Sequence, residues 1–199
     1  YEIGVIVKEG LRRMYDNNED LFYYMTLYNE NYQMPQIPKG CNEGIIKGIY
    51  KFKSTKRPDV RLIGSGAILK QVIKAGELLS ELGIKSEIWS ATSFGELRRE
   101  ALSCERWNIL NPTKKTKVPY ITSILSKNNL CTIAATDHIK AVPDMIEKWV
   151  PGKYVTVGTD GFGRSDTRKN LRKFFEMDAN HISAAAVSSL YAERKITKA

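Results

Sequence analysis

The sequence has few cysteines and histidines, and this scarcity argues against two kinds of site. Its three cysteines, Cys41, Cys104 and Cys131, lie far apart without a CxxC pair, and their odd number argues against a disulfide framework. Cys131 lies in an apolar run, so we expect a buried small hydrophobic residue in a reduced, cytosolic protein. His138 and His181 have no ligand partners at metal-binding spacing, so no metal site is predicted.

Long apolar runs are also missing. No stretch approaches the roughly 20 residues that a membrane-spanning helix requires, so no membrane partner is predicted. No signal peptide opens the chain. Because the first residue is Tyr1 rather than Met, and the residues after it already have helical periodicity, we expect a fragment of a longer polypeptide.

Acidic residues are in the minority, with 22 Asp and Glu against 31 Lys and Arg, which gives a net charge of +9. A basic excess of this kind can indicate nucleic-acid binding. Here, however, the basic residues are interleaved with acids, and the densest cluster, Lys114 to Lys117, follows a proline in a predicted loop. The sequence has neither zinc-finger spacing nor an RNA-binding aromatic–glycine signature. We therefore predict a solvated basic surface and no nucleic-acid partner.

The first 40 residues differ from the rest of the chain. Apolar residues at helical spacing predict an amphipathic helix over residues 3–14, and residues 21–28 form a run of strand formers continuous enough for a strand buried on both faces. Pro35, Pro38 and Gly40 then break the pattern. Since one helix and one strand cannot bury their own apolar surface, we expect residues 1–40 to be the end of a preceding domain followed by a linker. An exposed apolar face around residues 21–28 is a further expectation.

From residue 41 onward, strands alternate with helices. The pattern predicts five strands, at residues 45–52 (a sheet edge), 60–63, 86–90, 130–135 and 154–157. It predicts helices at residues 67–82 (ended by Gly83), 93–107 (capped by Thr92 or Ser93), 118–125 and 141–150, and two more beginning near Asp166 and Asp178. Residues 41–199 are thus predicted to form an α/β domain, a three-layer α/β/α sandwich with a mostly parallel, mixed sheet.

The most informative stretch is the glycine-rich segment from Gly158 to Arg168, which follows a predicted strand and precedes a helix that Ser165 or Asp166 can cap. Such a turn can present a ligand at the carboxyl edge of a parallel sheet, or simply close a tight corner. Arg164 and Arg168 suit an anion such as phosphate or carboxylate. The simpler interpretation is that they are ordinary surface arginines, or that they pin the loop to Asp160 and Asp166.

Three other motifs also have an alternative interpretation. Gly64-Ser65-Gly66 after a strand resembles the start of a dinucleotide fingerprint, but the third glycine position is Leu69 and the acid candidate, Glu87, is poorly placed, so a tight turn is the alternative. Asp137-His138 suggests acid–base chemistry, whereas a solvent-exposed loop pair is the simpler interpretation. Ser65 and Ser93 lack the G-x-S-x-G context of a nucleophile.

Longer motifs carry a family resemblance. In chain order they are Asn29-Glu30-Asn31-Tyr32, Glu43-Gly44-Ile45, Leu62-Ile63-Gly64-Ser65-Gly66, Cys104-Glu105-Arg106-Trp107-Asn108, Val118-Pro119-Tyr120-Ile121 and Gly158-Thr159-Asp160-Gly161-Phe162-Gly163-Arg164-Ser165-Asp166. The ordered set resembles the homodimeric, thiamine-dependent, acetyl-transferring pyruvate dehydrogenase family of bacteria. The resemblance covers essentially the whole chain. It departs at His138, where the family more often has Tyr.

The resemblance implies a position within that family. Residues 1–40 would be the end of the pyrimidine-type middle domain plus a linker, and residues 41–199 the transketolase-type C-terminal domain. The intact enzyme would use thiamine diphosphate and Mg²⁺, but the family's magnesium-binding run and activating glutamate have no counterpart here. We therefore assign no catalytic, cofactor-binding or metal-binding residue, and expect neither cofactor to bind this segment alone.

The implied function is that of the whole enzyme, an oxidoreductase of the bacterial cytoplasm. It would decarboxylate pyruvate and reductively acetylate the lipoyl group of dihydrolipoyl acetyltransferase, working as a homodimer. This segment would complete the subunit without being catalytic alone. The alternative is a stand-alone α/β module that binds an anion or a partner through Gly64–Gly66, Arg164 and Arg168.

Overall fold

A five-stranded mixed sheet forms the centre of the fold in the computed structural model, which describes residues 1–196. The strand order is β1-β3-β2-β4-β5, with β1 antiparallel to β3 and the other pairs parallel. The strands are β1 Ile49–Lys53, β2 Val60–Ser65, β3 Ser86–Ala91, β4 Cys131–Ala135 and β5 Tyr154–Val157. The predicted α/β class with a mostly parallel sheet is confirmed. Residues 197–199 of the predicted second domain lie outside the described residues.

Helices cover both faces of the sheet. They are α1 Glu2–Leu11, α2 Asn42–Lys47, α3 Leu69–Glu81, α4 Phe94–Leu110, α5 Tyr120–Leu125, α6 Ala141–Asp144, α7 Arg168–Phe174 and α8 Ala179–Ala192. Their ends follow local chemistry. The Ser93 hydroxyl accepts the Glu96 N–H at 3.0 Å, and the Asp178 carboxylate accepts the His181 N–H at 3.0 Å. Gly83, at φ +75°, ends α3 as predicted.

Alternation along the strands divides the core into two apolar layers. Val60 and Leu62 of β2 face α3 and α8, with buried residues such as Val72 and Ile182. Ile63 faces the other way, toward buried residues of α4 and α5. The three central strands, β2, β3 and β4, are buried on both faces, as is usual for parallel strands.

Two predicted elements begin or end differently. Residues 45–47 belong to α2, and the edge strand starts only after Gly48, whose φ of +101° ends that helix. The helix predicted over residues 141–150 is split into α6 and a short 3-10 turn at Glu147–Trp149. Two side chains donate hydrogen bonds to backbone carbonyl groups of this segment and so compete with helical N–H donors. The Tyr154 hydroxyl donates to Pro143 O, and the Thr122 hydroxyl donates to Trp149 O.

The strand predicted over residues 21–28 is wrong. These residues are extended chain without a ladder, because no strand of the described part lies beside them. The predicted exposed apolar face is present: Phe22, Tyr24 and Leu27 are 88%, 86% and 65% exposed. The predicted N-terminal helix is confirmed as α1, prolonged by a π-helical turn at Arg12–Asp16. It is held to the sheet edge by Glu2, which accepts hydrogen bonds from the Tyr50 and Ser90 hydroxyls.

Candidate functional site

The strand order creates a crevice at the carboxyl edge of the sheet. β3 lies on one side of β2 and β4 on the other, so the loops after β2 and β4 diverge there. In open α/β sheets ligands bind at this switch point. The two loops are Gly64–Gly66 and Thr136–His138, which include two of the motifs singled out in the sequence.

Tyr28 of the N-terminal segment fills this crevice. Its hydroxyl donates to Asp137 Oδ1 at 2.7 Å and lies 3.5 Å from His138 Nε2. Its ring lies so close to Gly66 that a Cβ added there would be 2.2 Å from Tyr28 Cε2. Gly66 also has φ +53°, a conformation that favours glycine. The turn after β2 is thus shaped to receive an aromatic ring from residue 28.

This contact changes the interpretation of Asp137-His138. Both residues are half-buried rather than exposed, so the exposed-loop prediction is wrong. Burial, followed by the hydrogen bond to Asp137, raises the pKa of Tyr28 above its usual value, so the phenol stays protonated as the donor. Asp137 serves as the acceptor of a structural hydrogen bond. Within the described residues, neither Asp137 nor His138 has a hydrogen bond to a serine or cysteine side chain, so the pair does not activate a nucleophile there.

Residues 30 and 32 extend the contact along the N-terminal segment. The Glu30 carboxylate forms an ion pair with the Arg172 guanidinium at 2.5 Å, and its Oε2 lies 3.7 Å from Arg168 Nε. Arg168 also donates to the Asn29 carbonyl. The Lys70 ammonium lies 4.9 Å from the centre of the Tyr32 ring. We call residues 28–32 the strap, because they tie the N-terminal segment across the carboxyl edge.

The glycine-rich segment forms a corner. A Cβ on Gly158 would lie 2.7 Å from the His138 carbonyl, which accepts the Thr159 N–H at 2.9 Å. This close approach joins the loops after β4 and β5, and it supports the corner alternative. The helix cap is Thr167, whose hydroxyl accepts the Asn170 N–H at 3.3 Å, rather than either residue predicted. Asp166 instead accepts the N–H of that capping threonine at 2.6 Å.

The two arginines predicted as anion-binding candidates make different contacts. Arg168 is committed to the strap, and Arg164 stacks on Phe174 with its guanidinium carbon 4.1 Å from the ring centre. The alternative in which these arginines pin the loop to Asp160 and Asp166 is not borne out, because within the described residues neither arginine pairs with either aspartate. Asp160 accepts the Lys140 backbone N–H at 3.0 Å.

The arrangement around Gly64 and Glu87 favours the tight-turn alternative over dinucleotide binding. A Cβ on Gly64 would meet Leu69 Cα at 2.7 Å, so this glycine permits close strand–helix packing. Glu87 lies near the start of β3, at the opposite edge from the crevice, where its carboxylate pairs with Arg61 at 2.7 Å and Lys51 at 2.8 Å. Burial raises the pKa of Glu87, but the hydrogen bonds from Lys51 and Arg61 outweigh it and hold the pKa below its usual value.

The contacts of the cysteines and of His181 are those of packing and local hydrogen bonding. All three cysteines are buried, as predicted for Cys131. Burial, with a hydrogen bond to Glu100, raises the pKa of Cys104 to about 11. His181 Nδ1 lies 2.8 Å from Asp178 Oδ1 at the start of α8. Within residues 1–196, no three or more His, Cys, Asp or Glu side chains are grouped as metal ligands. Nor does this part of the chain contain a helix with the length and apolarity to cross a membrane.

Sequence reasoning missed Tyr28 and Glu30. Tyr28 lies 109 positions before its acceptor Asp137 in the chain, and Glu30 lies 142 positions before Arg172. No local pattern signals such pairs. Glu30 belongs to the motif Asn29-Glu30-Asn31-Tyr32, which carries part of the family resemblance, whereas Tyr28 lies just outside that motif.

Comparison with known proteins now identifies the fold family. Residues 48–178 match the family model described as "Transketolase-like TK C-terminal domain". This chain belongs to that family. Residues 1–35 match a second model, "Pyruvate dehydrogenase E1 component middle domain". The strap lies within residues 1–35, and the residues between the two matches, 36–47, include the end of the predicted linker and α2.

Curated relatives confirm the predicted resemblance. The pyruvate dehydrogenase E1 component of Pseudomonas aeruginosa is 47% identical over 195 residues, which cover 96% of this chain and 22% of the relative. That of Escherichia coli K12 is 44% identical over 203 residues, which cover 100% of this chain and 23% of the relative. The chain thus spans less than a quarter of the length of the curated relatives it matches.

Solved structures support the fold alone. A transketolase from Pichia stipitis, crystallised with sedoheptulose 7-phosphate, superposes with a TM-score of 0.57 at 16% identity, over 81% of this chain and 21% of that one. The transketolase from Leishmania mexicana gives 0.51 at 17% identity, over 74% and 18%. The predicted transketolase-like architecture is confirmed.

Proposed function

We propose that this chain is the C-terminal part of a bacterial pyruvate dehydrogenase E1 component. Residues 1–40 are the end of the middle domain plus a linker, and residues 41–199 are the transketolase-type C-terminal domain. The observation that carries the proposal is 47% identity over 195 residues, which cover 96% of this chain and therefore reach into both parts.

The activity proposed for the whole protein is oxidative decarboxylation of pyruvate, with reductive acetylation of the lipoyl group of dihydrolipoyl acetyltransferase. It would act as a homodimer in the bacterial cytoplasm. Thiamine diphosphate supplies carbanion chemistry in such enzymes when it is bound. The residues described here do not fit that cofactor or its Mg²⁺. The crevice is filled by Tyr28, and residues 1–196 offer no cluster of metal-binding side chains.

The role we assign to this segment is architectural. Three kinds of contact hold the strap on the C-terminal domain: the Tyr28–Asp137 hydrogen bond, the Glu30–Arg172 ion pair and the packing on Gly66. At the other end of the segment, Glu2 joins α1 to the hydroxyls of Tyr50 and Ser90. The C-terminal domain therefore fixes where the end of the middle domain lies. This also argues against the stand-alone anion-binding alternative at Gly64–Gly66, since the strap occupies that turn.

A hybrid enzyme tests the proposed function. In it, this chain replaces the matching C-terminal segment of the Escherichia coli relative, and pyruvate-dependent reduction of ferricyanide reports decarboxylation without any acetyltransferase. We expect activity in the hybrid and none in the enzyme truncated at the same boundary. A folded, dimeric hybrid without pyruvate-dependent reduction would contradict the proposal.

Calorimetry on the 199-residue chain tests its lack of cofactor binding. Thiamine diphosphate with Mg²⁺ is titrated into the chain, and into the intact Escherichia coli enzyme as a positive control. We expect heat only from the intact enzyme. Saturable binding by the chain alone would place a cofactor site among these residues and overturn the architectural role.

A further inference from the structure

The loop between β5 and α7 carries an exposed aromatic residue and, two positions later, an arginine without an ion-pair partner in the described part of the chain. All residues from 160 to 170 are exposed, and Phe162 is 97% exposed at a tip flanked by two glycines. A second ring, Phe174 at the end of α7, is 53% exposed. A shallow groove of about 320 Å³ follows the tip, lined by Arg164, Ser165, Asp166, Asn170, Leu171 and Phe174.

Arg164 is oriented but has no charged partner. Its guanidinium lies over the Phe174 ring at 4.1 Å, and within residues 1–196 it forms no ion pair or hydrogen bond. Stacking of this kind leaves the five N–H donors of arginine free while restricting the side chain. The loop therefore presents an ordered cation whose donors are available to carboxylates.

The acids near Arg164 neutralise this surface only in part. The Asp166 carboxylate accepts from Thr167 N and Asn170 Nδ2, and Asp160 pairs with Lys140. Lys169 and Lys173 of α7 are exposed and have no acidic partner in the described part of the chain. Asp166 keeps its negative charge, because its hydrogen-bond partners are neutral donors. Arg164, Lys169 and Lys173 outnumber it, so the net charge around the loop is positive and its complement is acidic.

We propose that Phe162, Arg164 and Phe174 form a docking surface for an acidic face of a partner protein. Phe162 enters an apolar pocket on the partner, and Arg164 pairs with carboxylates at its rim. Exposed aromatic residues and arginine are the types that dominate binding energy at interfaces.

The identity of the partner rests on the proposed function, under which it is dihydrolipoyl acetyltransferase. This surface adjoins the strap, because α7 also supplies Arg168 and Arg172, which contact Asn29 and Glu30, but Phe162, Arg164 and Phe174 are not among the residues that line the crevice. Docking here would hold an acetyl-accepting partner on the enzyme without contributing to decarboxylation.

Binding of the full 199-residue chain to immobilised Escherichia coli dihydrolipoyl acetyltransferase tests the proposal. Phe162→Ala is compared with Phe22→Ala, an 88% exposed aromatic outside the surface, and Arg164→Ala with Arg98→Ala, an exposed arginine on α4. We expect Phe162→Ala and Arg164→Ala each to weaken binding about tenfold or more, the usual size for an interface hot spot, and the controls to have little effect. Wild-type affinity should fall as salt rises.

Two results would overturn the docking proposal: no binding by the wild-type chain, or equal losses in the test and control variants. The proposed function is tested separately. In the hybrid enzyme, Phe162→Ala and Arg164→Ala should leave ferricyanide reduction unchanged while lowering acetylation of the acetyltransferase. Unchanged acetylation contradicts the docking surface, whereas a hybrid with no ferricyanide activity contradicts the proposed function.

Discussion

Replacing Tyr28 by Phe removes one oxygen atom and leaves the ring in the crevice. The lost hydrogen bond is a 2.7 Å contact from a phenol to the Asp137 carboxylate. Hydrogen bonds to charged groups contribute about 1.5–3 kcal/mol. Because Tyr28 is 36% exposed, water can replace part of this contact, and we discount the loss to about 1–2 kcal/mol.

Such a loss acts locally, on the equilibrium between the docked and released strap. About 1–2 kcal/mol corresponds to a roughly 5- to 30-fold increase in the released fraction. Amide hydrogen exchange, measured by mass spectrometry on the 199-residue chain, should therefore accelerate by that factor in peptides spanning residues 24–34, with the central strands unchanged.

The matched control is Tyr24→Phe, because Tyr24 is 86% exposed and makes no hydrogen bond through its hydroxyl within the described residues. It should leave exchange at the wild-type rate. Equal exchange in the Tyr28 and Tyr24 variants would refute the assignment of Tyr28 as the residue that fixes the strap.

Other substitutions test the same structure from different sides. Gly66→Ala should release the strap more strongly than loss of the Tyr28 hydroxyl, since its Cβ would displace the ring and φ +53° strains alanine; hydrogen exchange over residues 24–34 reads this out, and wild-type protection would contradict it. Glu87→Gln should lower the free energy of unfolding in urea by about 3–5 kcal/mol, because it leaves the buried Arg61 guanidinium without its carboxylate; a loss below about 1 kcal/mol would show that the pair is dispensable. The folded pKa of Glu87 lies below its unfolded value of about 4.3, so this stabilisation is complete above that pH and is lost as pH falls through the folded pKa. Urea unfolding between about pH 3 and pH 5 should thus show a weaker pH dependence in Glu87→Gln than in the wild type, and identical slopes would contradict the assignment.

The α/β domain could be predicted because its signals are local. Four of the five strands have short apolar or β-branched runs, and Ser93, Gly83 and Asp178 mark helix ends through hydrogen bonds or φ values that involve near neighbours. The edge strand was harder, since its first residues are helical and Gly48 ends that helix by adopting φ +101°.

Residues 21–28 show why composition alone fails. The run has strand-forming side chains, but a strand also needs a neighbour to satisfy its backbone groups, and the described residues supply none. Strand propensity measures packing on a pleated, half-buried surface rather than a preference of the isolated chain. Phe22 and Tyr24 are instead exposed.

The crevice could be predicted only in part. Its two loops were recognised as glycine-rich or polar strand ends, which is local information. Its filling by Tyr28 depends on a contact between residues 109 positions apart, and the commitment of Arg168 to the strap depends on one 139 positions away. No local pattern around Arg168 signals that contact.

The most direct test of the whole account is the hybrid enzyme, in which this chain replaces the matching segment of the Escherichia coli relative. We expect pyruvate-dependent ferricyanide reduction to stay within about tenfold of the unmodified enzyme, equivalent to about 1.4 kcal/mol in the barrier. We expect the enzyme truncated at the same boundary to be inactive. A hybrid that folds and dimerises but does not decarboxylate pyruvate would contradict the assignment of this chain to the pyruvate dehydrogenase E1 component.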